Sequence, residues 1–150
     1  MSKAVWLGEE WTGRFDMIAD FEGIYISKED YESKSSPYPN AEIWRERKDQ
    51  MSKAIMAYAG IHVLLGYYTY ESYSGSAFVL FEQDGKLYTV EGGHCSCYGL
   101  EGQWDPVETT IDALRMGLER GTLGRSYGGA NEFAEELAKV LDGLQKTEEA

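Results

Sequence analysis

The residues best suited to chemistry lie in one short, glycine-flanked turn. Both cysteines of the chain and one of its two histidines fall within the four residues His-Cys-Ser-Cys at 94–97. Zinc takes thiolate and imidazole ligands in a tetrahedron. The candidate metal ligands are therefore His94, Cys95 and Cys97, with His62 or Glu91 as a fourth. Structural zinc sites usually have two or more residues between their cysteines and this turn has one, so we expect no cofactor and keep zinc as the alternative.

Two further interpretations of this turn need no metal. A reactive thiol would require His94 to lower the pKa of Cys95, but neighbouring side chains on an extended strand point to opposite faces. A structural role requires only that the cysteines pack as small apolar groups, as unpaired cysteines commonly do. We favour the structural role, with Tyr98, Leu100 and Trp104 anchoring the turn against a sheet.

The segments before the turn predict a helix followed by an antiparallel meander. Residues 41–59 lack Gly and Pro and carry apolar side chains at spacings of three and four, which predicts a long helix capped by Asn40 and ended by Gly60. Residues 61–73 predict a strand with a bulge at Gly66. Residues 76–82 and 86–91 predict a hairpin, because Asp84-Gly85 suits a tight turn. A shorter strand is expected at 21–27.

The segments after the turn predict two amphipathic helices. Residues 92–106 read as a glycine-spaced loop, followed by a helix over 107–120 with Asp105 as its cap and Pro106 in its first turn. Residues 130–145 carry the most regular apolar stripe and predict the second helix. The expected fold is one α+β domain over 1–150: a three-stranded or larger antiparallel meander, a long helix before it and two amphipathic helices after it, with the helices on one face.

The net charge restricts the classes of partner. The chain has 26 acidic and 14 basic residues, a formal charge of −12, and no extended basic cluster. Such a field repels phosphate backbones and anionic lipids, so we expect no direct binding to nucleic acid or membranes. There is no signal-peptide pattern and no run of about 18 apolar residues, so the expected location is the cytoplasm.

The acidic residues are concentrated in two segments. Residues 1–32 carry eight acids against three bases, and residues 91–112 carry five acids and no base. Carboxylates in rows on rigid elements can imitate a nucleic-acid backbone and occupy a basic groove, whereas a merely solvated acidic face is the simpler explanation. The candidate partner-binding residues are Glu91, Glu101, Trp104, Asp105, Glu108 and Asp112, of which Glu108 and Asp112 would share one face of the 107–120 helix.

The stretch from Thr69 to Trp104 adds a resemblance. It contains the string YSGSAFVLFEQDGKLYTVEGGHCSCYGLEGQW and spans about a quarter of the chain. This string resembles a segment of small, mostly uncharacterised phage and prophage accessory proteins. The resemblance implies a phage-encoded protein that acts in the bacterial host cytoplasm, and it assigns no chemistry to individual residues.

Together these observations predict a binding protein rather than an enzyme. The chain has two histidines and neither a Gly-x-Gly-x-x-Gly nor a Walker pattern. We expect an acidic, phage-derived protein that inhibits a host defence enzyme with a basic surface, such as a CRISPR or restriction nuclease, by mimicking nucleic acid. The alternatives are a metal- or ligand-binding module at residues 94–97 and a structural accessory subunit. An exposed edge of the 61–91 sheet would also allow a homodimer.

Overall fold

The predicted α+β class is confirmed. A computed structural model of the chain describes residues 4–8, 10–70, 73–95, 98–121 and 133–149. These residues form, in chain order, β1 (Val5–Leu7), α1 (Arg14–Glu22), α2 (Lys28–Glu32), α3 (Ala41–Ala57), β2 (His62–Tyr68), β3 (Ser74–Gln83), β4 (Lys86–Cys95), β5 (Val107–Thr109), α4 (Ile111–Arg120) and α5 (Ala134–Glu149). The long helix before the meander and the two helices after it are present.

The sheet has five strands in the order β1-β2-β3-β4-β5. β2, β3 and β4 form the predicted antiparallel meander, and β5 continues it antiparallel to β4. β1 pairs parallel to β2, which makes the sheet mixed. The outer strands β1 and β5 have three residues each and cover only part of the two edges of the meander. An edge contact between two copies of the chain stays a prediction.

The hairpin between β3 and β4 is confirmed. Gln83 pairs with Lys86, and the two residues between them, Asp84 and Gly85, have φ angles of 53° and 79°. Positive φ at both positions matches the right-handed twist of the flanking strands. β4 continues to Cys95, so residues 92–95 belong to a strand and not to the predicted loop.

A β-bulge lies at Leu64 rather than at Gly66. Val63 pairs with Phe81 and Leu65 with Leu80, so Leu64 is the extra residue. The bulge reverses the alternation of β2, and Val63 and Leu65 consequently face different cores. Gly66 stays in register, and a Cβ there would lie 2.6 Å from the Trp6 ring.

Helices pack on both faces of the sheet, which corrects the expectation of one face. On the first face, α1 and α3 bury Met17, Phe21, Trp44 and Met51 against the sheet. On the second face, α4 and α5 bury Leu114, Leu137 and Leu141 against Leu65, Tyr67, Phe78 and Leu80. A sheet covered on both faces accounts for the nearly continuous apolar runs of β2 and β3.

The start of α4 differs from the prediction. Val107–Thr109 is strand β5, and the side chain of Thr110 caps α4 by accepting a hydrogen bond from the Ala113 amide at 3.1 Å. Asp105 and Pro106 lie before β5 and do not start the helix. Glu108 and Asp112 therefore do not share a helix face.

The remaining boundaries are partly confirmed. Asn40 caps α3 as predicted, with its side chain accepting from the Glu42 amide at 3.0 Å, and the helix ends at Ala57, two residues early. The strand predicted at 21–27 is wrong, because Phe21 completes the apolar face of α1 before the left-handed Gly23 ends it. α5 runs to Glu149, and residues 130–132 of its predicted start lie outside the described residues.

Across the described parts of the chain, no helix has both the length and the apolar character needed to cross a membrane.

Candidate functional site

Four rings form a row at one end of the sheet, on the face that α1 covers. Trp11 lies 5.5 Å from Tyr68, Tyr68 stacks on His94 at 4.2 Å and 7°, and Tyr70 lies 5.8 Å from His94 at 9°, as centroid distances and interplanar angles. We call Trp11, Tyr68, His94 and Tyr70 the aromatic row. Trp11, at one end of the row, and His94 are buried, with 2% and 5% of each residue exposed. Tyr70, at the other end, is 60% exposed. The buried rings of the row thus support the exposed ring of Tyr70.

Gly75 explains why His94 can reach this row. His94 on β4 pairs with Gly75 on the central strand β3, and β2 lies on the other side of β3. A Cβ on Gly75 would overlap the carbonyl of Thr69 and lie 2.6 Å from His94 Nε2. Because Gly75 has no side chain, the imidazole can extend across β3 toward β2.

The imidazole of His94 is held by a hydrogen bond from one ring nitrogen. Its Nε2 lies 2.6 Å from the carbonyl oxygen of Thr69. A carbonyl oxygen can only accept, so Nε2 carries the proton and donates it. This bond joins β4 to the end of β2 and fixes the ring against both tyrosines.

Asp20 lies at the inner end of the aromatic row. Trp11 Nε1 donates to Asp20 Oδ2 at 2.6 Å, which connects α1 to the row. The pKa of Asp20 is raised above its ordinary value, chiefly because the surrounding protein removes water from the carboxylate, with Asp16 and Glu10 adding repulsion. Burial, with Asp20, Glu10 and Tyr70 nearby, raises the pKa of Tyr68 to about 12. Asp20 and Glu10 are therefore close enough to Tyr68 to disfavour the ionisation of its hydroxyl.

Three exposed tyrosines lie at this end of the sheet. Tyr70 follows β2, Tyr73 directly precedes β3, and Tyr98 forms a bridge with Cys95 at the end of β4. They are 60%, 72% and 61% exposed, respectively. We call these three residues the tyrosine end. Exposed tyrosines are typical of protein-binding sites, because each ring offers a large contact area and a polar hydroxyl.

The carboxylates beside the tyrosine end are not neutralised by salt bridges with described residues. None of the ion pairs formed among those residues includes Glu10, Asp16 or Asp20. Asp16 instead accepts from the amide and hydroxyl of Thr12, at 2.9 and 2.7 Å. This end of the molecule therefore combines exposed rings with carboxylates that form no ion pair with a described residue.

The structure does not bring together the four predicted metal ligands that it describes, His62, Glu91, His94 and Cys95. His94 and Cys95 are consecutive on β4, so their side chains lie on opposite faces of the sheet, and Nε2 of His94 already donates to Thr69. Glu91 is on the face opposite His94, and His62 lies at the far end of β2. Cys97 lies outside the described residues, within which no group of three metal-ligating side chains occurs. These residues do not fit a zinc site built on His94 and Cys95.

The predicted partner-binding residues are divided between the two faces of the sheet. Glu108 pairs with Tyr88 and shares its face, whereas Glu91, three positions further along β4, projects from the other face. Trp104 is half-buried among Phe21, Tyr58 and Phe81, with ring centroids 4.8–5.4 Å apart. Trp104 is therefore part of the first core.

Glu108 and the three remaining candidates are exposed but dispersed. Glu101 accepts a hydrogen bond from Tyr25 Oη at 3.1 Å, and Glu108 pairs with Lys86 at 3.6 Å. Asp105 lies in the loop before β5, and Asp112 lies in the first turn of α4. Residues 91–112 do not form one continuous acidic face, and a contact by any of these residues stays a prediction.

Sequence reasoning missed the aromatic row. The run Tyr67-Tyr-Thr-Tyr held a signal, because strand alternation places Tyr68 and Tyr70 on one face. The acidic segment 1–32 was recognised, but nothing local connected Asp20 with His94, which lies 74 residues further along the chain.

Comparison with known proteins gives no functional information, so the functional proposal rests on the sequence and the structure. No family model matches the chain, and no curated protein or solved structure is significantly similar to it.

Proposed function

We propose that this chain is a non-enzymatic binding protein whose tyrosine end, with Glu10, Asp16 and Asp20 beside it, docks on a basic surface of a partner protein. The observation that carries the proposal is the exposure of three tyrosines at one end of a sheet, next to carboxylates without salt-bridge partners among the described residues. Tyrosine is enriched at the centres of protein interfaces, where a few residues supply most of the binding free energy.

The aromatic row supports this role because it orders Tyr70 before binding. Tyr70 lies against His94, which is held by the Thr69 carbonyl and stacked on Tyr68. A side chain that is ordered in the free protein loses less conformational entropy on binding, and more of the contact energy then appears as affinity.

The charge of the chain supports a basic partner. A net charge of −12 increases the association rate with a cationic surface and disfavours acidic partners. We propose that the partner is a host defence enzyme with a groove for nucleic acid, and that the protein acts in the bacterial cytoplasm as a phage-encoded inhibitor. The phage-like stretch from Thr69 to Trp104 supports this origin and includes all three residues of the tyrosine end.

A capture experiment with matched variants tests the binding surface. Wild type, Tyr70→Ser/Tyr73→Ser/Tyr98→Ser and the control Tyr25→Ser/Met56→Ser are immobilised and exposed to lysate of the bacterial host. Tyr25 and Met56 are 70% and 76% exposed, so the control removes equally exposed side chains outside the tyrosine end. Wild type and control should retain the same basic protein, and the triple variant should lose affinity for it by about 100-fold or more, at about 1 kcal/mol or more per tyrosine.

Two additions make the outcome decisive. The purified captured protein should cleave nucleic acid, and wild type should inhibit that cleavage in proportion to its binding. The variant Glu101→Lys/Asp105→Lys/Glu108→Lys tests the placement in residues 91–112 in the same assay. Loss of capture by this charge-reversal variant alone would move the site there, and equal capture by every variant would refute both placements.

A further inference from the structure

We propose that a groove between α1 and α3 binds a small zwitterion with an apolar body, the chemical form of an apolar α-amino acid or dipeptide. The ammonium group of this ligand lies at Glu22, on the α1 side, and its carboxylate lies at Lys53, on the α3 side. The groove shares no residue with the aromatic row or the tyrosine end. The inference therefore goes beyond the proposed function and is tested separately from it.

The groove lies where α1 and α3 both end. Its volume is about 560 Å³, which is within the range of small-molecule sites. α1 ends at Glu22 before the left-handed Gly23, and α3 ends at Ala57. The groove is lined by Glu22, Gly23 and Ile24 at the end of α1 and by Gln50, Lys53, Ala54 and Ala57 in the last turns of α3. The carbonyl groups at helix C-termini carry partial negative charge, which favours an ammonium group there.

Two carboxylates meet on the α1 side of the groove. Glu22 lines the groove, and the Glu101 side chain packs so closely on Gly23 that a Cβ there would overlap it. Neither carboxylate forms an ion pair with a described residue. Glu22 Oε2 accepts a long hydrogen bond from Tyr58 Oη at 3.4 Å, and Glu101 Oε1 accepts from a tyrosine at 3.1 Å. The second oxygen of each carboxylate accepts none from a described residue, which leaves it available to an ammonium group.

The α3 side of the groove carries the groups that suit a carboxylate. The ammonium of Lys53 lies 3.0 Å from Asp49 Oδ2, in an exposed pair one helical turn apart. Such pairs contribute little to stability, and an ammonium has three donors, so Lys53 can bind a second carboxylate. Gln50, one turn earlier in the same lining, adds the N–H donors of its side-chain amide.

The remaining side chains of the lining are apolar, namely those of Ile24, Ala54 and Ala57. An apolar group of the ligand that packs on them is removed from water, which contributes to binding. A carboxylic acid without an ammonium would be repelled by Glu22 and Glu101, and an amine without a carboxylate would meet the like charge of Lys53. A zwitterion is complementary to both sides of the groove.

Nuclear magnetic resonance titration of the full-length chain tests the site with four ligands. These are L-leucine, leucyl-leucine, N-acetyl-L-leucine, which has no ammonium, and L-leucinamide, which has no carboxylate. Leucine or leucyl-leucine should shift the amide signals of Gly23, Ile24, Ala54 and Ala57 with a dissociation constant of about 1 mM or lower, and the tighter of the two gives the size of the ligand. The two blocked forms should bind about 10-fold more weakly or less, because each lacks one charge-assisted hydrogen bond.

Matched variants assign the two sides of the groove. Glu22→Gln should weaken the zwitterion by about 10-fold without weakening N-acetyl-L-leucine, since that ligand has no ammonium to lose. Lys53→Met should weaken the zwitterion to a similar extent without weakening L-leucinamide. Glu46→Gln is the control, because Glu46 is exposed on α3 and does not line the groove, and it should bind like wild type.

Three results would overturn the inference. They are the absence of shifts at the four groove amides, equal affinity of wild type for the zwitterions and a blocked form, and an unchanged affinity for the zwitterion in Glu22→Gln or in Lys53→Met. None of them bears on the capture experiment, because these variants leave the tyrosine end intact.

Discussion

At the scale of single residues, His94 has a different role from the one its neighbours suggested. Its position beside Cys95 indicated a metal ligand, but its imidazole crosses Gly75 and donates to the carbonyl of Thr69. A Cβ on Gly75 would lie 2.6 Å from His94 Nε2, so this path depends on the glycine and the two residues act together. Side-chain chemistry made His94 a candidate, and its surroundings determined which atom it uses.

Asp20 gives a pH-dependent prediction at this scale. Its pKa in the folded protein lies above the ordinary value of 3.8, so the native state binds more protons than the unfolded state between these two pKa values. The contribution of Asp20 to the free energy of unfolding therefore falls as the pH rises through that interval. Asp20→Asn keeps an acceptor for Trp11 and removes the ionisation. Relative to wild type, its stability should be greater near pH 7 than near pH 3.5.

Urea unfolding of both proteins across this pH range measures the difference. Asp105→Asn, in an exposed loop, controls for the change of one unit in net charge. A stability difference between Asp20→Asn and wild type that is constant with pH, or that grows as the pH falls, would contradict the prediction.

At the scale of elements, the boundary between β5 and α4 shows how tertiary pairing changes a local signal. Asp105-Pro106 is a good helix start, but Val107–Thr109 pairs with Leu87–Thr89 of β4 and delays the helix to Ile111. This pairing covers a section of the β4 edge. An unpaired edge would leave its backbone amides and carbonyls without hydrogen-bond partners within the sheet. Gln103 extends this cover, because its side-chain amide accepts from Gly93 N–H at 2.9 Å and donates to Gly93 O at 2.7 Å.

The observed cap of α4, Thr110, and the predicted cap, Asp105, should contribute differently to the free energy of unfolding. Thr110→Ala removes the side chain that caps α4 and should lower the free energy of unfolding by about 1 kcal/mol. Asp105→Ala, the matched change at the start that the sequence predicted, should stay within about 0.5 kcal/mol of wild type. Chemical denaturation of both variants measures the two changes in the free energy of unfolding. A larger loss for Asp105→Ala than for Thr110→Ala would favour the predicted helix start at residue 107.

At the scale of the whole molecule, two cores share one sheet. All four tryptophans belong to the first core or pack against it, whereas α4 and α5 close the second core without one. Tryptophan fluorescence therefore reports on the first core, and far-UV circular dichroism reports on both. This asymmetry allows the predicted single domain to be tested directly.

Leu141→Ala should lower the stability of both cores together. Leu141 is fully buried in the second core, and its truncation should cost about 2–5 kcal/mol. Because both cores use β2 and β3, the fluorescence and circular dichroism midpoints should fall by the same amount. Met51→Ala, fully buried in the first core, is the matched variant. A fluorescence midpoint that does not respond to Leu141→Ala would show two independent folding units.

What could be predicted from the sequence was local or periodic. The Asp84-Gly85 turn, the Asn40 cap and the apolar stripes of the later helices depend on residues a few positions apart, and the α+β class followed from them. Which residues of β2 face each core could not be predicted. Val63, Leu64 and Leu65 are all apolar, so the bulge among them does not change the pattern of apolar and polar residues. The three-residue strands β1 and β5 are too short to show a period.

By itself the sequence determined the fold class, the negative charge and the surplus of aromatic residues. The tertiary structure decided that helices cover both faces of the sheet, that Trp104 is part of the core, and that Trp11, Asp20, Tyr68, Tyr70 and His94 meet at one end. The physical reason is the range of the interactions. Turns and caps are specified by adjacent residues, whereas the aromatic row depends on the pairing of β2, β3 and β4 and on the docking of α1, which no short segment encodes.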